Sequence, residues 1–488
     1  MLATLFKRPI TLLACAAAIA LGACSTNPAT GEQSFTAFMS PADEKRLGAE
    51  QHPKILEEFG GAYEDPELGA YVASLGARMA ATSERPDLNF TFTILDSPVV
   101  NAFALPGGYV YVSRGLIALA NNEAELAGVL GHEIGHVTAR HSAERYSRSV
   151  LVNLGAGILG AVSGQRAVAD IASLGGGLYL RSYSRENEFE ADSLGLRYMT
   201  AAGYEPSAVA SFLASLGAQT ELEARLRGSD ADPDAFNLLS THPRTVDRVR
   251  EAQQATGSFE PGRVEREAYL RRIDGMLYGD DPDQGFIRDR TFIHPVLRFR
   301  FTAPPGFTLI NSSDRVEGVS QDGTKMVFDG TPDRTGASMA QYLSRSPWTQ
   351  KLRLTGVQSF TVNGMDAATA SATVQTQQGT LGYRLIAIRA SADRIYRFAF
   401  LGNPDRLAAN QEELRRTTYS FELLSESEAA SYRPLRLHVV QVQPGDTVDS
   451  LAARMPQGPE QRARFLVLNG MQNGGQVQPG MLVKIVSE

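Results

Sequence analysis

Apolar residues recur at helical spacing in three stretches of the first half of the chain. Ala42 to Phe59 and Pro66 to Ala81 read as helices, the second with Leu68, Val72, Leu75 and Met79 on one side. Leu126, Val129, Leu130 and Val137 mark a third, where Asn121 or Asn122 can cap the start and Glu125 can reach back to the cap. Phe90 to Leu95 patterns as a strand. Asn101 to Val112 sets a Pro106-Gly107-Gly108 turn between two short β-prone runs, which is a hairpin signal. Tyr269 to Asp281 reads as a linker. Residues 290–425 then alternate in strand fashion, as in Leu297–Thr302, Arg384–Arg389 and Arg394–Phe400, with helical stretches near Met339–Leu343 and Arg406–Arg415.

The N-terminus follows another pattern. Lys7 and Arg8 precede an apolar run from Ile10 to Leu21, too short for a comfortable membrane span, and then Gly22, Ala23 and Cys24. That is a secretory signal, and Leu21-Gly22-Ala23-Cys24 resembles the bacterial lipobox, which implies cleavage before Cys24 and lipidation of that residue. Ser25, in place of Asp, resembles the outer-membrane address of enteric lipoproteins. Asn27 to Ser40, polar with Pro and Gly, reads as a tether.

Composition sharpens this outline. At 488 residues two to four domains are expected. Removing residues 1–23 takes away Lys7 and Arg8 and no acid, moving the net charge from −7 to −9. No basic tract occurs, so nucleic acid is a poor partner. Cys15 leaves with the signal and Cys24 is then the sole cysteine, so no intrachain disulfide can form.

The third helix carries the chemistry, His132-Glu133-Ile134-Gly135-His136. At 3.6 residues per turn the two imidazoles stack on adjacent turns and can hold one metal at about 2.0–2.1 Å each, while Glu133 reaches a water on it. Zinc is the expected metal. Such a motif also arises as solvated helix decoration, but only seven His occur in the whole chain. Ser184 caps a further helix that places Glu188 and Asp192 at i and i+4. A third zinc donor and a carboxylate to accept a ligand's second ring N–H would come from there; an acidic first turn that suits the helix dipole has the same pattern. His242, before Pro243, sits in extended or turn backbone and is either a surface residue or part of the site. His141 lies about 140° round the helix from His136, cannot share its metal without breaking the helix, and reads as structural. Val150 to Gly164, rich in Gly, Ala and Leu, is short of the ~20 residues a bilayer needs; it reads as a buried helix or a flap over the site.

Together the His132-Glu133-x-x-His136 motif with Val137 to His141, the Asn101-Ala102-Phe103 segment, Glu188-x-x-Ala191-Asp192 and Ser240-Thr241-His242-Pro243 resemble the HtpX-like, CAAX-prenyl-endopeptidase family of zinc metallopeptidases, which are gluzincins. The likeness covers roughly residues 40–255. It implies Glu188 as third zinc ligand, His242 as a residue that sits on the zinc at rest and withdraws for substrate, and Arg248 as part of the same regulatory loop. Asn101, Ala102 and Phe103 would bind the substrate backbone by strand addition, although a hairpin that merely fills the sheet fits the spacing as well. This chain lacks the membrane helices of polytopic members, so the match is to exported ones.

From Leu435 the run Val442-Gln443-Pro444-Gly445-Asp446-Thr447, then Leu466 to Gly470 and Met481 to Ile485, resembles a LysM-type peptidoglycan-binding module. The expected chain is therefore multidomain: signal peptide (1–23), tether (24–40), a mainly α zincin-type peptidase domain with a small β-sheet (41–275), an α+β accessory domain (290–425) and a LysM-like βααβ module (435–487). Its expected function is zinc-dependent endoproteolysis in the bacterial periplasm, from a lipid anchor on Cys24 and more on the outer than the inner membrane. Glu133 would be the general base, His242 and Arg248 would assist, and Asp192 would orient a ligand. Envelope proteins are the expected substrates and peptidoglycan a candidate partner. A non-catalytic assembly factor and a zinc amidase acting on peptidoglycan are the rival readings, the first disfavoured by the intact Glu133 and the second by the peptidase-type motifs.

Overall fold

The computed structural model describes residues 24–151, 182–227, 238, 242, 260–312, 314–376, 379–456, 458, 460–471 and 474–488. The amphipathic runs form the elements that their spacing predicts. After a short antiparallel hairpin, β1 (Cys24–Thr26) with β2 (Gln33–Phe35), come α1 (Pro41–Glu58) and α2 (Pro66–Ala81). A three-stranded sheet follows, built from β3 (Thr91–Leu95), β4 (Ala102–Leu105) and β5 (Tyr109–Ser113), with β5 in the middle, parallel to β3 and antiparallel to β4. The turn between β4 and β5 uses Gly107 and Gly108 at φ 87° and 96°, where a side chain would be strained.

The short helix α3 (Arg114–Leu119) leads into α4 (Glu123–Thr138), which carries the His132-Glu133-x-x-His136 motif. Asn122 caps α4 by accepting from Glu125 N, and Glu125 in return accepts from Asn121 N at 2.7 Å. Every residue of α4 except His132 is buried, so its acids and histidines must each meet a partner inside the protein. Helices α5 (Arg185–Ala201), α6 (Ser207–Arg227) and α7 (Arg266–Ile273) complete the domain. Helix α5 lies on α4 with almost no side chain between them. A Cβ on Gly131 would sit 3.0 Å from the Gly195 carbonyl oxygen, and one on Gly195 would sit 2.8 Å from His132 N. Among the described residues no helix is long and apolar enough to cross a membrane.

Two stretches expected to be loose are packed. The supposed tether carries the β1–β2 hairpin and buries Asn27, Ala29 and Met39, with Met39 O accepting from Arg140. The supposed linker buries Tyr269, Leu270, Ile273, Met276 and Leu277, and the buried Arg114 guanidinium donates to Leu277 O and Gly279 O. Local polarity hides such segments because their few apolar residues find their partners far along the chain.

Beyond residue 285 a seven-stranded antiparallel sheet and a four-stranded one pack around Phe299, Phe301, Phe328, Phe398 and Phe421. No metal-ligand cluster lies there among the described residues. The last segment runs β6 (Arg436–Gln441), α8 (Val448–Ala452), α9 (Gln461–Leu468) and β7 (Leu482–Ser487), with β6 and β7 antiparallel. It shares one hydrophobic core with the motif domain, where Leu437, Phe465, Leu468 and Ile485 join Leu126, Leu130 and Phe212. The fully buried Lys484 Nζ donates to the carbonyls of Ala118, Leu119 and Ala120, at the end of α3 and the start of its connection to α4. Those carbonyls would otherwise be left in an apolar interior, at about 1–3 kcal/mol each. Lys484→Met is expected to destabilise the motif domain by about 3 kcal/mol, seen as a lower melting temperature of the whole chain and faster amide exchange in α4.

Candidate metal centre

Four side chains from three places in the sequence converge. His132 and His136 project from adjacent turns of α4. Glu188 comes from the first turn of α5, whose start Ser184 caps by accepting from Asn187 N. His242 enters from the segment whose Leu238 N donates to Val100 O, just before β4. One donor atom from each of the four lies within 4.8 Å of all the others. His132 Nε2 is 3.0 Å from His136 Nε2 and 3.2 Å from His242 Nδ1, while Glu188 Oε1 is 3.0 Å from His242 Nδ1 and 3.5 Å from His136 Nε2.

Donors held at 2.0–2.2 Å from a tetrahedral zinc sit about 3.3 Å apart. The observed separations match the edges of that tetrahedron, and the three-nitrogen, one-oxygen set suits zinc. Burial pushes the Glu188 carboxyl up, but His242 and His136 together hold it well below its ordinary range. Burial likewise drives His136 well below its ordinary value, toward the neutral form that can ligate.

Further side chains meet the converging imidazoles from behind. Asp192 Oδ1 lies 2.9 Å from His132 Nδ1, as the i, i+4 spacing from Glu188 allows. On the other imidazole, His136 Nδ1 is 2.8 Å from His141 Nδ1, and His141 Nε2 is 3.2 Å from Glu190 Oε2. His141 is not among the four converging donors, as expected, and meets His136 from behind. Helix α4 ends at Thr138, and Arg140 takes φ 61°, held there by an ion pair to the buried Glu44 of α1. The reversal swings His141 back onto His136, which a continuous helix would forbid. Tyr183 stacks on the His136 ring at 3.9 Å between centroids, with the Arg145 guanidinium on the Tyr183 ring. No motif marks Tyr183. Its one signal is position, immediately before the Ser184 cap.

Glu133 is fully buried, with Oε1 3.4 Å from His242 Nε2. The His242 ring therefore spans the ligand set and the candidate base. Strand β4 packs against α4, and the side-chain amide of the buried Asn101 has no hydrogen-bond partner among the described residues. Ala102 and Phe103 are buried in β4, an edge strand. Arg248, most of Val150 to Gly164 and residues 1–23 lie outside the described residues.

Residues 66–256 match peptidase family M48. The matched stretch contains all four converging side chains and Glu133. M48 is a family of zinc metallopeptidases, in keeping with the tetrahedral donor set of this domain. Among curated proteins, the chain is 31% identical over 228 residues to the putative beta-barrel assembly-enhancing protease of Vibrio cholerae, covering 45% of each. It is 30% identical over 232 residues to the beta-barrel assembly-enhancing protease of Escherichia coli, covering 46% of each. With the mitochondrial metalloendopeptidase OMA1 of Arabidopsis thaliana it shares 35% identity over 201 residues, 41% of this chain and 38% of that one. The chain spans less than half the length of each of these relatives.

In the matched domain, candidate ligands and candidate base separate by zinc content. His132→Ala, His136→Ala and Glu188→Ala are each expected to weaken zinc binding by more than about 100-fold, above what loss of an outer partner costs. Glu133→Gln should keep zinc at the wild-type stoichiometry, measured by metal analysis after gel filtration.

Proposed function

We propose that this chain is a zinc-dependent endopeptidase that hydrolyses peptide bonds of envelope proteins in the bacterial periplasm, anchored by lipid on Cys24. The observation that carries the reading is the placement of the buried Glu133 carboxylate beside a complete zinc donor set. A scaffold without chemistry has no use for a base held there against its own desolvation.

Zinc, when bound, supplies Lewis acidity toward water and the scissile carbonyl. Glu133 takes the proton of the attacking water and returns it to the leaving amine. Asp192 and His141 hold the two imidazoles in their ligating orientations. In the resting chain His242 occupies the fourth corner of the donor set and borders Glu133, so substrate entry requires that ring to leave. Once displaced, His242 or Arg248 becomes a donor for the developing oxyanion. The Asn101 amide and the main chain of Ala102 and Phe103 receive the substrate as an added strand along β4.

Support for envelope substrates comes from the signal and lipobox patterns and from the printed names of the beta-barrel assembly-enhancing relatives. The HtpX-like resemblance belongs with the exported rather than the polytopic members. The strand-helix-helix-strand order of the last segment supports the LysM-like reading, with peptidoglycan as its partner.

Casein and an unfolded outer-membrane protein serve as substrates for the test. Wild type is expected to cleave both, and Glu133→Gln to lose about 10²–10⁴-fold in rate at equal zinc content. Equal cleavage by the two would remove the mechanism. Zinc-loaded wild type that stays inactive even as His242→Ala would favour the non-catalytic assembly factor.

A further inference from the structure

The two ligating histidines of α4 are braced differently. His132 meets a carboxylate directly, Asp192 on α5. His136 reaches one only through His141, and that carboxylate, Glu190, is itself held from outside the core of the domain. Asn27 Nδ2 donates to Glu190 Oε1 at 2.6 Å, from a position 163 residues earlier in the chain. Asn27 lies three residues after Cys24, in the turn between β1 and β2.

The proton pattern along this line has one consistent arrangement. A His136 ring that ligates through Nε2 carries its proton on Nδ1 and donates it to His141 Nδ1. His141 then carries its own proton on Nε2 and donates to Glu190 Oε2. Glu190 takes further donors from the hairpin turn, Asn27 Nδ2 on its Oε1 and the Thr30 side chain. The Asn27 amide cannot be turned round, because its Oδ1 accepts from Ala29 N at 2.9 Å. Its backbone is pinned as well, with Asn27 N donating to Glu32 O and Gly31 N donating to Asn27 O. Asn27, His141 and His136 are 4%, 1% and 1% exposed, which closes the His136–His141 link to water, while the Glu190 side chain keeps 22% of its surface open to solvent.

We propose that Glu190 and Asn27 are positioning residues of the metal centre, acting through His141 on His136, so that the hairpin directly behind Cys24 sets how tightly zinc is held. The inference rests on the zinc reading of the site and not on proteolysis. Losing an outer carboxylate partner of a ligating histidine costs 10–100-fold in metal affinity in general. The hairpin contributes the outermost hydrogen bonds of the line, made to a carboxylate, and because the loss of one of them reaches the metal only through Glu190 and His141 its effect on zinc is about 2–10-fold in an equilibrium constant.

The test measures zinc dissociation constants by chelator competition in the full chain, with the visible spectrum of the cobalt-substituted protein and the melting temperature of the metal-free protein alongside. Glu190→Gln should weaken zinc about 10–100-fold and Asn27→Ala about 2–10-fold, and both should shift the cobalt bands. Ser25→Ala is the control, because it removes the hairpin contact to Thr36 Oγ1 at 2.6 Å and leaves Glu190 untouched. It should leave affinity and bands as in wild type. Zinc affinity unchanged in both Glu190→Gln and Asn27→Ala overturns the proposal, as does an equal loss in Ser25→Ala and Asn27→Ala. If Glu190→Gln fails to fold, Asn27→Ala combined with Thr30→Val decides alone. Unchanged zinc binding in His136→Ala would instead bring down the metal-centre reading itself.

Discussion

The close approach of α4 and α5 is the constraint on which the metal centre depends. Gly131 and Gly135 on one helix face Ala191 and Gly195 on the other so closely that a Cβ on Gly135 would sit 3.1 Å from the Ala191 carbonyl oxygen and one on Gly195 2.8 Å from His132 N. At that separation the first turn of α5 lies level with the last turns of α4. Glu188 then falls beside His132 and His136 without stretching its side chain. Larger residues at these positions would push the two helices apart and draw the carboxylate away from both rings. The same contact places Asp192 on His132 and Glu190 on His141, so one small-residue seam positions three carboxylates around the histidines.

Burial explains why the site is so fully networked. Helix α4 is enclosed on every side, and a polar group without a partner there costs more than the hydrogen bond it lacks. Its N-terminal acids are answered by Tyr71, Arg78, Tyr204, Asn122 and Ser211, and its histidines by Asp192, His141 and the ligand set. The helix is thereby fixed at both ends and in the middle. Rigid placement of the two imidazoles follows from satisfying buried polar groups as much as from packing apolar ones.

Distant parts of the chain take part in this. The N-terminal hairpin closes the line behind His136. The last strand, β7, reaches the carbonyls that lead into α4 through Lys484, and α7 lays Tyr269 against Ile117 O. The motif domain thus borrows stability from segments hundreds of residues away, and the final βααβ segment is part of its core.

Much of the site was legible in the chain itself. The 3.6-residue period and the Asn122 cap fix α4, and a period of four places His132 over His136 and Glu188 over Asp192, because these are properties of a single helix. The Pro106-Gly107-Gly108 turn determines its hairpin in the same local way. The pairing of Glu188 with His132 and His136, the arrival of His242 at the fourth corner and the bracing by His141, Glu190 and Asn27 were decided by tertiary structure. His141 shows the reason most plainly. Its place depends on a backbone reversal at Arg140 held by Glu44, and a residue that turns on an ion pair nearly a hundred positions away leaves no periodic trace in the sequence.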